Sequence, residues 1–258
     1  ANKRIQLFGA GGMAFFREQS EARRKSVIET MVAKRIPCVV VTRSLAPTPE
    51  MIEVLEKAGV PLFRTPLSSK AFTTEVTVLL EERFAPRTSL HGTLLEIRGV
   101  GTLIRGESGA GKSEAALALI ERGHSLVADD LVKVKLLSDH TPIGFCDPLS
   151  RGFMECRGIG IINVEKLFGN RFVRLEKRID LVVTLIEETA NAEPERTGLD
   201  RKYYQILGFD VPQMEIPVRT GRDMARLIEV AAMVQAARQF GYDSADDLNE
   251  KLLKKMNH

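Results

Sequence analysis

The sequence predicts an α/β protein built as two units, and three observations carry that prediction. The stretch Gly106-Glu107-Ser108-Gly109-Ala110-Gly111-Lys112-Ser113 fits the phosphate-binding pattern G-x-x-x-x-G-K-[ST] at every fixed position. Short β-branched runs such as Cys38-Val39-Val40-Val41-Thr42 alternate with helix-compatible stretches in the first third of the chain. The stretch Ala85-Pro86-Arg87-Thr88-Ser89 then reads as a linker. Residues 1–86 are therefore expected to form a small N-terminal α/β domain with a parallel sheet, and residues 87–258 the loop-bearing domain.

In chain order, Lys3 to Phe8 reads as a short strand and Gly9-Ala10-Gly11-Gly12 as a turn, since no G-x-G-x-x-G continuation follows. Arg17 to Arg35 has helix-compatible composition and is closed by Pro37. The valine run from Cys38 reads as a buried parallel strand. Pro47 and Pro49 open a helix through Glu56, which Gly59 terminates, and Val60 to Arg64 reads as the next strand. Leu67 to Phe84 reads as a helix beginning at Ser68 or Ser69.

In the second unit, Thr93 to Ile97 and Val100 to Ile104 flank Arg98-Gly99, the pattern of an antiparallel hairpin feeding the phosphate loop. The helix formers Glu114 to Ile120 leave the loop and end near Gly123. Ser125 to Ala128 reads as a strand ending in Asp129-Asp130, with Leu131 to Leu137 continuing it. Ser138 to Ser150 reads as loop, and Arg151 to Asn163 as irregular structure followed by a short strand. Ile179 to Ile186 is a buried-strand pattern, and Glu187 to Arg201 reads as a polar mobile loop. Asp223 to Phe240 reads as an amphipathic helix with a core-facing stripe of Met224, Leu227, Ile228, Ala231 and Val234.

Composition narrows the functions. With 37 Lys and Arg against 34 Asp and Glu, the formal charge of +3 is too small to argue for nucleic acid. Arg23-Arg24-Lys25 falls within a helix pattern and reads as a solvated face. Cys38, Cys146 and Cys156 have no metal-ligand spacing. Neither a signal peptide nor a long apolar span is visible, so no membrane association and a cytoplasmic location are the default expectations.

The loop's chemistry is specific to phosphates. Its backbone N–H groups can wrap an anion at the positive end of the following helix, Lys112 can reach the β- and γ-phosphates, and the Ser113 hydroxyl can hold Mg²⁺. Phosphoryl transfer also needs a group that orients the nucleophile and a positive charge for the transferring group. Asp129-Asp130 ends a strand shortly after the loop helix. In a parallel sheet, strand C-termini and the loop-helix N-terminus open on the same edge, so this carboxylate pair can meet the γ-phosphate. Strand alternation would send one carboxylate to the phosphate and the other elsewhere; a surface turn capped by two acids is the alternative. No Asn-Lys-x-Asp base-reading motif follows the loop. His91 fits a structural role as well as a site role, and His124 reads as a helix-end residue favourable at the dipole's negative end.

With these words in place, the chain resembles the bacterial HPr kinase/phosphorylase family. The resemblance rests on His91-Gly92, Gly106 to Ser113, Ala128-Asp129-Asp130, the stretch Glu155 to Val164, Arg196-Thr197-Gly198-Leu199-Asp200, and Pro217 to Arg222. It runs in order from about Lys3 to the end of the helix after Asp223. The phosphate loop is shared with many families; Arg157-Gly158-Ile159-Gly160-Ile161-Ile162-Asn163-Val164 is much more specific. The resemblance implies a C-terminal P-loop kinase domain related to the phosphoenolpyruvate carboxykinase core. It implies a Mg²⁺-dependent kinase acting on a serine of HPr, the small carrier protein of the sugar phosphotransferase system. ATP is the usual donor, pyrophosphate serves in some members, and the reverse reaction uses phosphate and releases pyrophosphate.

Carried over residue by residue, Asp129 is the general base of the kinase direction and the general acid of phosphorolysis. Asp130 and His91 are its neighbours, Ser113 and Glu155 are metal ligands or near-ligands, and Lys112 contacts the phosphates. Arg196 is the mobile cation that meets the transferring phosphoryl group, with Arg157 a second candidate. The resemblance further implies a homohexamer in which HPr touches more than one subunit. Two departures stand out: family members usually carry a longer N-terminal region, and Ala192-Glu193-Pro194-Glu195 matches no familiar pattern, so Arg196 is placed by the Thr-Gly-Leu-Asp that follows it. A small-metabolite or phosphoenolpyruvate carboxykinase-like kinase and a nucleotide-sensing regulator without turnover are the alternatives. The first lacks the expected extra His and Lys cluster, and the acids after the loop argue against the second.

Overall fold

The structure, a computed structural model, describes residues 4–187, 199–219 and 221–256. The chain divides into two compact units, Ala1–Phe84 and Ala85–His258.

The first unit runs β1 (Gln6–Phe8), α1 (Ala10–Glu18), α2 (Glu21–Ala33), β2 (Val39–Val41), α3 (Pro49–Lys57), β3 (Leu62–Arg64) and α4 (Ser69–Phe84). Its three described strands form a parallel sheet in the order β1-β2-β3, as the β-branched run at Val39 foretold. Phe8, Met13, Phe16, Ile28, Val41 and Met51 belong to its core. Two sequence expectations change. The Gly9–Gly12 stretch is the start of α1 and not a turn, with Gly9 as its N-cap. The single helix expected over Arg17 to Arg35 is broken at Ser20, whose hydroxyl accepts from the Arg23 N–H and starts α2.

Nor is Arg23-Arg24-Lys25 wholly a solvated face. Arg24 reaches across to the buried carboxylate of Glu50 on α3. The Arg24 guanidinium, helped by backbone and Thr48 hydrogen bonds, holds the Glu50 carboxyl down from 4.5 to about 2. A depressed carboxylate contributes stability that is present above its unfolded pKa and is lost as pH falls through its folded value. Glu50→Gln, which mimics the protonated group, should therefore melt below the wild type at neutral pH. Circular dichroism melts should show that gap closing as the pH falls from 4.5 towards 2.

The second unit contains β4 (Arg87–His91), β5 (Thr93–Ile97), β6 (Val100–Gly106), α5 (Lys112–Glu121), β7 (Ser125–Ala128), β8 (Leu131–Leu136) and β9 (Pro142–Phe145). There follow β10 (Phe153–Cys156), β11 (Gly160–Asn163), α6 (Val164–Phe168), β12 (Glu176–Arg178), β13 (Leu181–Glu187), β14 (Lys202–Ile206), β15 (Phe209–Val218), α7 (Met224–Gln239) and α8 (Ser244–Met256). Among the described residues the strands form a six-stranded sheet, β14-β15-β13-β6-β5-β7, a four-stranded sheet, β12-β9-β8-β4, and the separate ribbon β10-β11.

The larger sheet is mixed. β13 runs parallel to both β6 and β15, whereas β5 is antiparallel to β6 and β7. Four strands, β6, β7, β13 and β15, therefore point the same way and end at one edge. The antiparallel hairpin expected around Arg98-Gly99 is present as β5-β6, and the shared edge expected of parallel strands is kept by these four. Leu95, Ile104, Val183 and Leu185 join one core with α5 and α7. Leu94, Leu103 and Val182 join another with Val132 and Val134 of the second sheet. Burial on both faces is why these strands read as unbroken apolar runs.

The expected linker shrinks, because Arg87 to Ser89 already belong to β4, paired with β8. β8 does not continue β7 either. Asp130 adopts a left-handed conformation (φ 62°) and the chain turns into the other sheet. The expected loop over Ser138 to Ser150 contains β9, and Arg151 to Asn163 is an antiparallel ribbon. The buried face of α7 is Ala225, Ile228, Ala231, Ala232 and Gln235, rotated from the expected stripe. Alanines on α5 and α7 let the two helices pack on one another, while Leu227 and Val234 are only half-buried. Among the described residues, no helix is long and apolar enough to cross a membrane.

Candidate active site

The phosphate loop leaves the sheet where β6 ends. A side chain at Gly106 (φ 153°) would come within 2.8 Å of the Leu185 carbonyl oxygen, so only glycine lets β6 turn away pressed against β13. α5 begins at Lys112 and is held by Ala115, Ala116, Leu119 and Ile120, all buried in the core. That anchoring fixes the N-terminus of α5, with its free N–H groups, at the sheet edge. Lys112 Nζ donates to the carbonyl oxygens of Gly106 (2.9 Å) and Glu107 (2.8 Å), folded over the loop it would serve. Ser113 lies half-buried in the first turn of the helix.

Asp129 follows β7, two strands across on the same edge. Its Oδ1 accepts a 2.7 Å hydrogen bond from the Thr93 hydroxyl, and its Oδ2 a 3.1 Å bond from the Glu155 N–H. Two donors from two different elements thus fix the rotamer of this half-buried carboxylate. Strand alternation does not sort the two acids, because β7 stops at Ala128. Asp130 is exposed, and its carbonyl oxygen accepts from the Gly92 N–H at 3.0 Å. His91, at the end of β4, pairs with Leu131 and is exposed, so the His91-Gly92 and Asp129-Asp130 segments meet through their backbones.

The β10-β11 ribbon brings in the other pair. Glu155 is exposed on the strand whose amide holds Asp129, and Arg157 reaches back to the loop, donating from Nη2 to the Ser108 hydroxyl at 2.9 Å. Cys156, between them, points inward, and burial with Asp129 and Glu114 nearby pushes its thiol pKa up. That disfavours the thiolate a nucleophile needs. Among the described residues there is no group of three or more His, Cys, Asp or Glu placed to hold a metal. The oxygen donors at hand, the Ser113 hydroxyl and the Glu155 carboxylate, are of the type Mg²⁺ takes when phosphates complete its shell.

The structure therefore gathers Gly106 to Ser113, Asp129, Glu155 and Arg157 at one edge, with His91 and Asp130 alongside. Arg196 lies outside the described residues; the strand before it, β13, ends at that same edge. Thr93 was missed from the sequence and had no local signal, since it touches an acid 36 positions away. His124 is elsewhere, past the far end of α5, buried beside Glu229 with Nε2 3.3 Å from Oε1. Burial lowers its pKa, which works against the charged helix-end role expected of it.

Comparison with known proteins shows the family. Residues 1–80 match the family described as HPr Serine kinase N terminus, and residues 82–252 match the HPr Serine kinase C-terminal domain. The chain is 42% identical over 255 residues to an HPr kinase/phosphorylase of Caldicellulosiruptor bescii, covering 99% of this chain and 82% of that protein. It is 41% identical over 250 residues to the HPr kinase/phosphorylase of Bacillus licheniformis, covering 97% and 81%. Among solved structures, the Hpr(Ser) kinase/phosphatase from Coxiella burnetii superposes with a TM-score of 0.56 at 35% identity, over 63% of this chain and 99% of that one. With both halves matched in order and the loop, acid and ribbon gathered at one edge, the chain belongs to the HPr serine kinase family.

Proposed function

We propose that this protein is a reversible protein-serine kinase that phosphorylates a serine of HPr from ATP, or from pyrophosphate, and that removes the phosphate with inorganic phosphate to give pyrophosphate. The observation that carries the reading is the Asp129 carboxylate, fixed by Thr93 and Glu155 at the edge where the phosphate loop opens.

In the kinase direction, the loop N–H groups and the N-terminus of α5 bind the β- and γ-phosphates. Lys112 exchanges its two carbonyl partners for phosphate oxygens. A serine hydroxyl is a weak nucleophile, so Asp129 orients it and accepts its proton as the serine oxygen bonds to the γ-phosphorus and ADP leaves. In phosphorolysis, inorganic phosphate attacks the phosphoserine phosphorus. The departing serine oxygen then recovers a proton from Asp129, as microscopic reversibility requires. Arg157, which already touches the loop through Ser108, and Arg196 supply positive charge to the transferring group. Ser113 and Glu155 would hold Mg²⁺, which supplies charge neutralisation to the phosphate oxygens. Asp130 and His91 shape the backbone around Asp129. The reading extends to a P-loop core related to that of phosphoenolpyruvate carboxykinase, and to a homohexamer working in the cytoplasm; the family resemblance supports both.

The test is the wild-type protein with Mg-ATP and HPr: phosphoserine should form on HPr, and its absence would rule the reading out. In the same assay Thr93→Val, which removes one of the two donors to Asp129, should lower kcat about tenfold, the scale of one lost hydrogen bond. The KM for ATP should stay near the wild-type value. A change confined to the ATP KM would place Thr93 in nucleotide binding instead.

A further inference from the structure

At the end of the second unit away from the phosphate loop, a cavity of about 300 Å³ is lined by the β5-β6 turn and by the C-terminus of α5. Its charged lining is one-sided: Arg98, Arg122 and Arg174 against the single carboxylate of Glu96. Lys177, outside the cavity, already holds Glu96 at 2.8 Å. Each arginine is pinned along one edge and unused along the other. Arg98 gives Nε and Nη2 to Glu229 Oε1, at 3.1 and 2.9 Å. Arg122 gives Nη2 to Asp223 at 2.6 Å, and its Nη1 lies 3.7 Å from Glu229. Arg174 gives Nε to Glu96 and Nη1 to the Arg171 carbonyl. Among the described residues, Arg98 Nη1, Arg122 Nε and Arg174 Nη2 have no partner. His124 lines the same cavity with only 7% of its surface exposed. Its Nε2, although 3.3 Å from Glu229, makes no hydrogen bond. Buried polar groups left unsatisfied call for a water, an ion or a ligand.

We infer that this cavity is a second anion site, separate from the phosphate cradle, for a small anion carrying two or more negative charges, a phosphate ester or an oligocarboxylate. Guanidinium forks match the paired oxygens of both groups. Counting every carboxylate these side chains already hold, four cations meet three acids, which leaves positive charge for a ligand. The negative end of α5 does not cancel that charge. The N–H groups of Gly123 and His124 donate to the Ile120 and Leu119 carbonyl oxygens and close the last turn on itself. A volume of about 300 Å³ is at the bottom of the range for small-molecule sites, so the ligand is smaller than a nucleotide. A network built only to hold α5 against α7 would close its arginines on both edges and leave no open space between them.

The experiment is equilibrium dialysis of the full chain against ³²P-labelled inorganic phosphate, repeated with ¹⁴C-labelled citrate. Arg98→Asn keeps the turn, because asparagine tolerates the left-handed conformation found there (φ 52°). It is combined with Arg174→Gln. The wild type should bind two phosphates per chain, one in the cradle and one here. The arginine double variant should weaken the second at least about tenfold, the scale of a lost charged hydrogen bond, and leave the first unchanged. Lys112→Ala should do the reverse. If circular dichroism shows the double variant unfolded, Arg98→Asn alone should weaken the second site about threefold, the scale of one exposed charge contact. Citrate binding without phosphate binding, abolished by the same substitutions, would assign the cavity to carboxylates. A wild type that binds one phosphate, lost with Lys112→Ala, and no citrate would overturn the inference. Second-site binding that the arginine substitutions leave unchanged would overturn it too. Phosphate binding lost in the arginine variant but untouched by Lys112→Ala would leave this site standing and remove the cradle on which the proposed function rests.

Discussion

Asp129→Asn is expected to bind ATP as the wild type does and to form phosphoserine on HPr at least ~100-fold more slowly, the usual scale of general-base catalysis. The substitution isolates proton transfer unusually well. An asparagine that turns its oxygen to the Glu155 N–H can offer its NH₂ to the Thr93 hydroxyl, which rotates to accept. Shape and both hydrogen bonds persist; only the proton acceptor is lost. The same variant should fail in phosphorolysis, because an amide gives no proton to the departing serine oxygen. Stopped-time phosphorylation assays with ATP affinity measured separately check this. Wild-type turnover in the variant would move the base elsewhere, with Glu155 and Asp130 the nearest candidates.

The second large effect concerns stability at the opposite end of β6. A methyl group at Gly101 would sit 1.7 Å from the Arg178 carbonyl oxygen, a distance no rotamer change relieves because the clash is with backbone. Gly101 also exchanges hydrogen bonds with Asp180: its N–H donates to Oδ2 at 2.9 Å, and its carbonyl accepts the Asp180 N–H at 2.8 Å. Gly101→Ala must push apart the crossing of β6 with the segment that leads from β12 into β13. The cost should be about 3 kcal/mol or more, the upper range for overpacking. For a unit of this size that corresponds to a melting temperature lower by roughly 6–12 °C. Because the phosphate loop lies at the other end of the strand, ATP affinity measured well below the melt should be unchanged. Calorimetry showing a wild-type melt would mean that the two segments separate more easily than this contact implies.

The contrast between these two positions also explains how much the sequence reveals. Gly106 to Ser113 is legible because a phosphate cradle needs fixed glycines, a lysine and a hydroxyl at fixed spacing, and the hairpin at Arg98-Gly99 because both residues must take positive φ (52° and 83°). Gly101 carries no such signature; its constraint comes from Arg178, far along the chain. The turn at Asp130 hides for a related reason. Ser125 to Leu136 is a continuous strand pattern, and a single left-handed aspartate sends half of it into another sheet. β15 is concealed by Pro212, Pro217 and the polar Gln213 and Glu215, which break any alternation, yet pairing with β13 and β14 makes it a strand. α8 is polar apart from Leu248, Leu252, Leu253 and Met256, all of them exposed, so no core contact marked it out. Within the site, the loop and the Asp129-Asp130 pair are readable from local chemistry, while the choice of Asp129 over Asp130 comes from the family resemblance. Thr93 and the grip of Arg157 on Ser108 needed the fold to bring distant segments together.

The central claim is that one cradle and one carboxylate run serine phosphorylation in both directions, and a labelled phosphorolysis tests it most directly. Phosphoserine-HPr is incubated with the wild-type protein, Mg²⁺ and ³²P-labelled inorganic phosphate. Labelled pyrophosphate should form as dephosphorylated HPr appears, and only when phosphate is supplied. Dephosphorylation that proceeds without added phosphate and yields free phosphate alone would make water the acceptor and contradict the account.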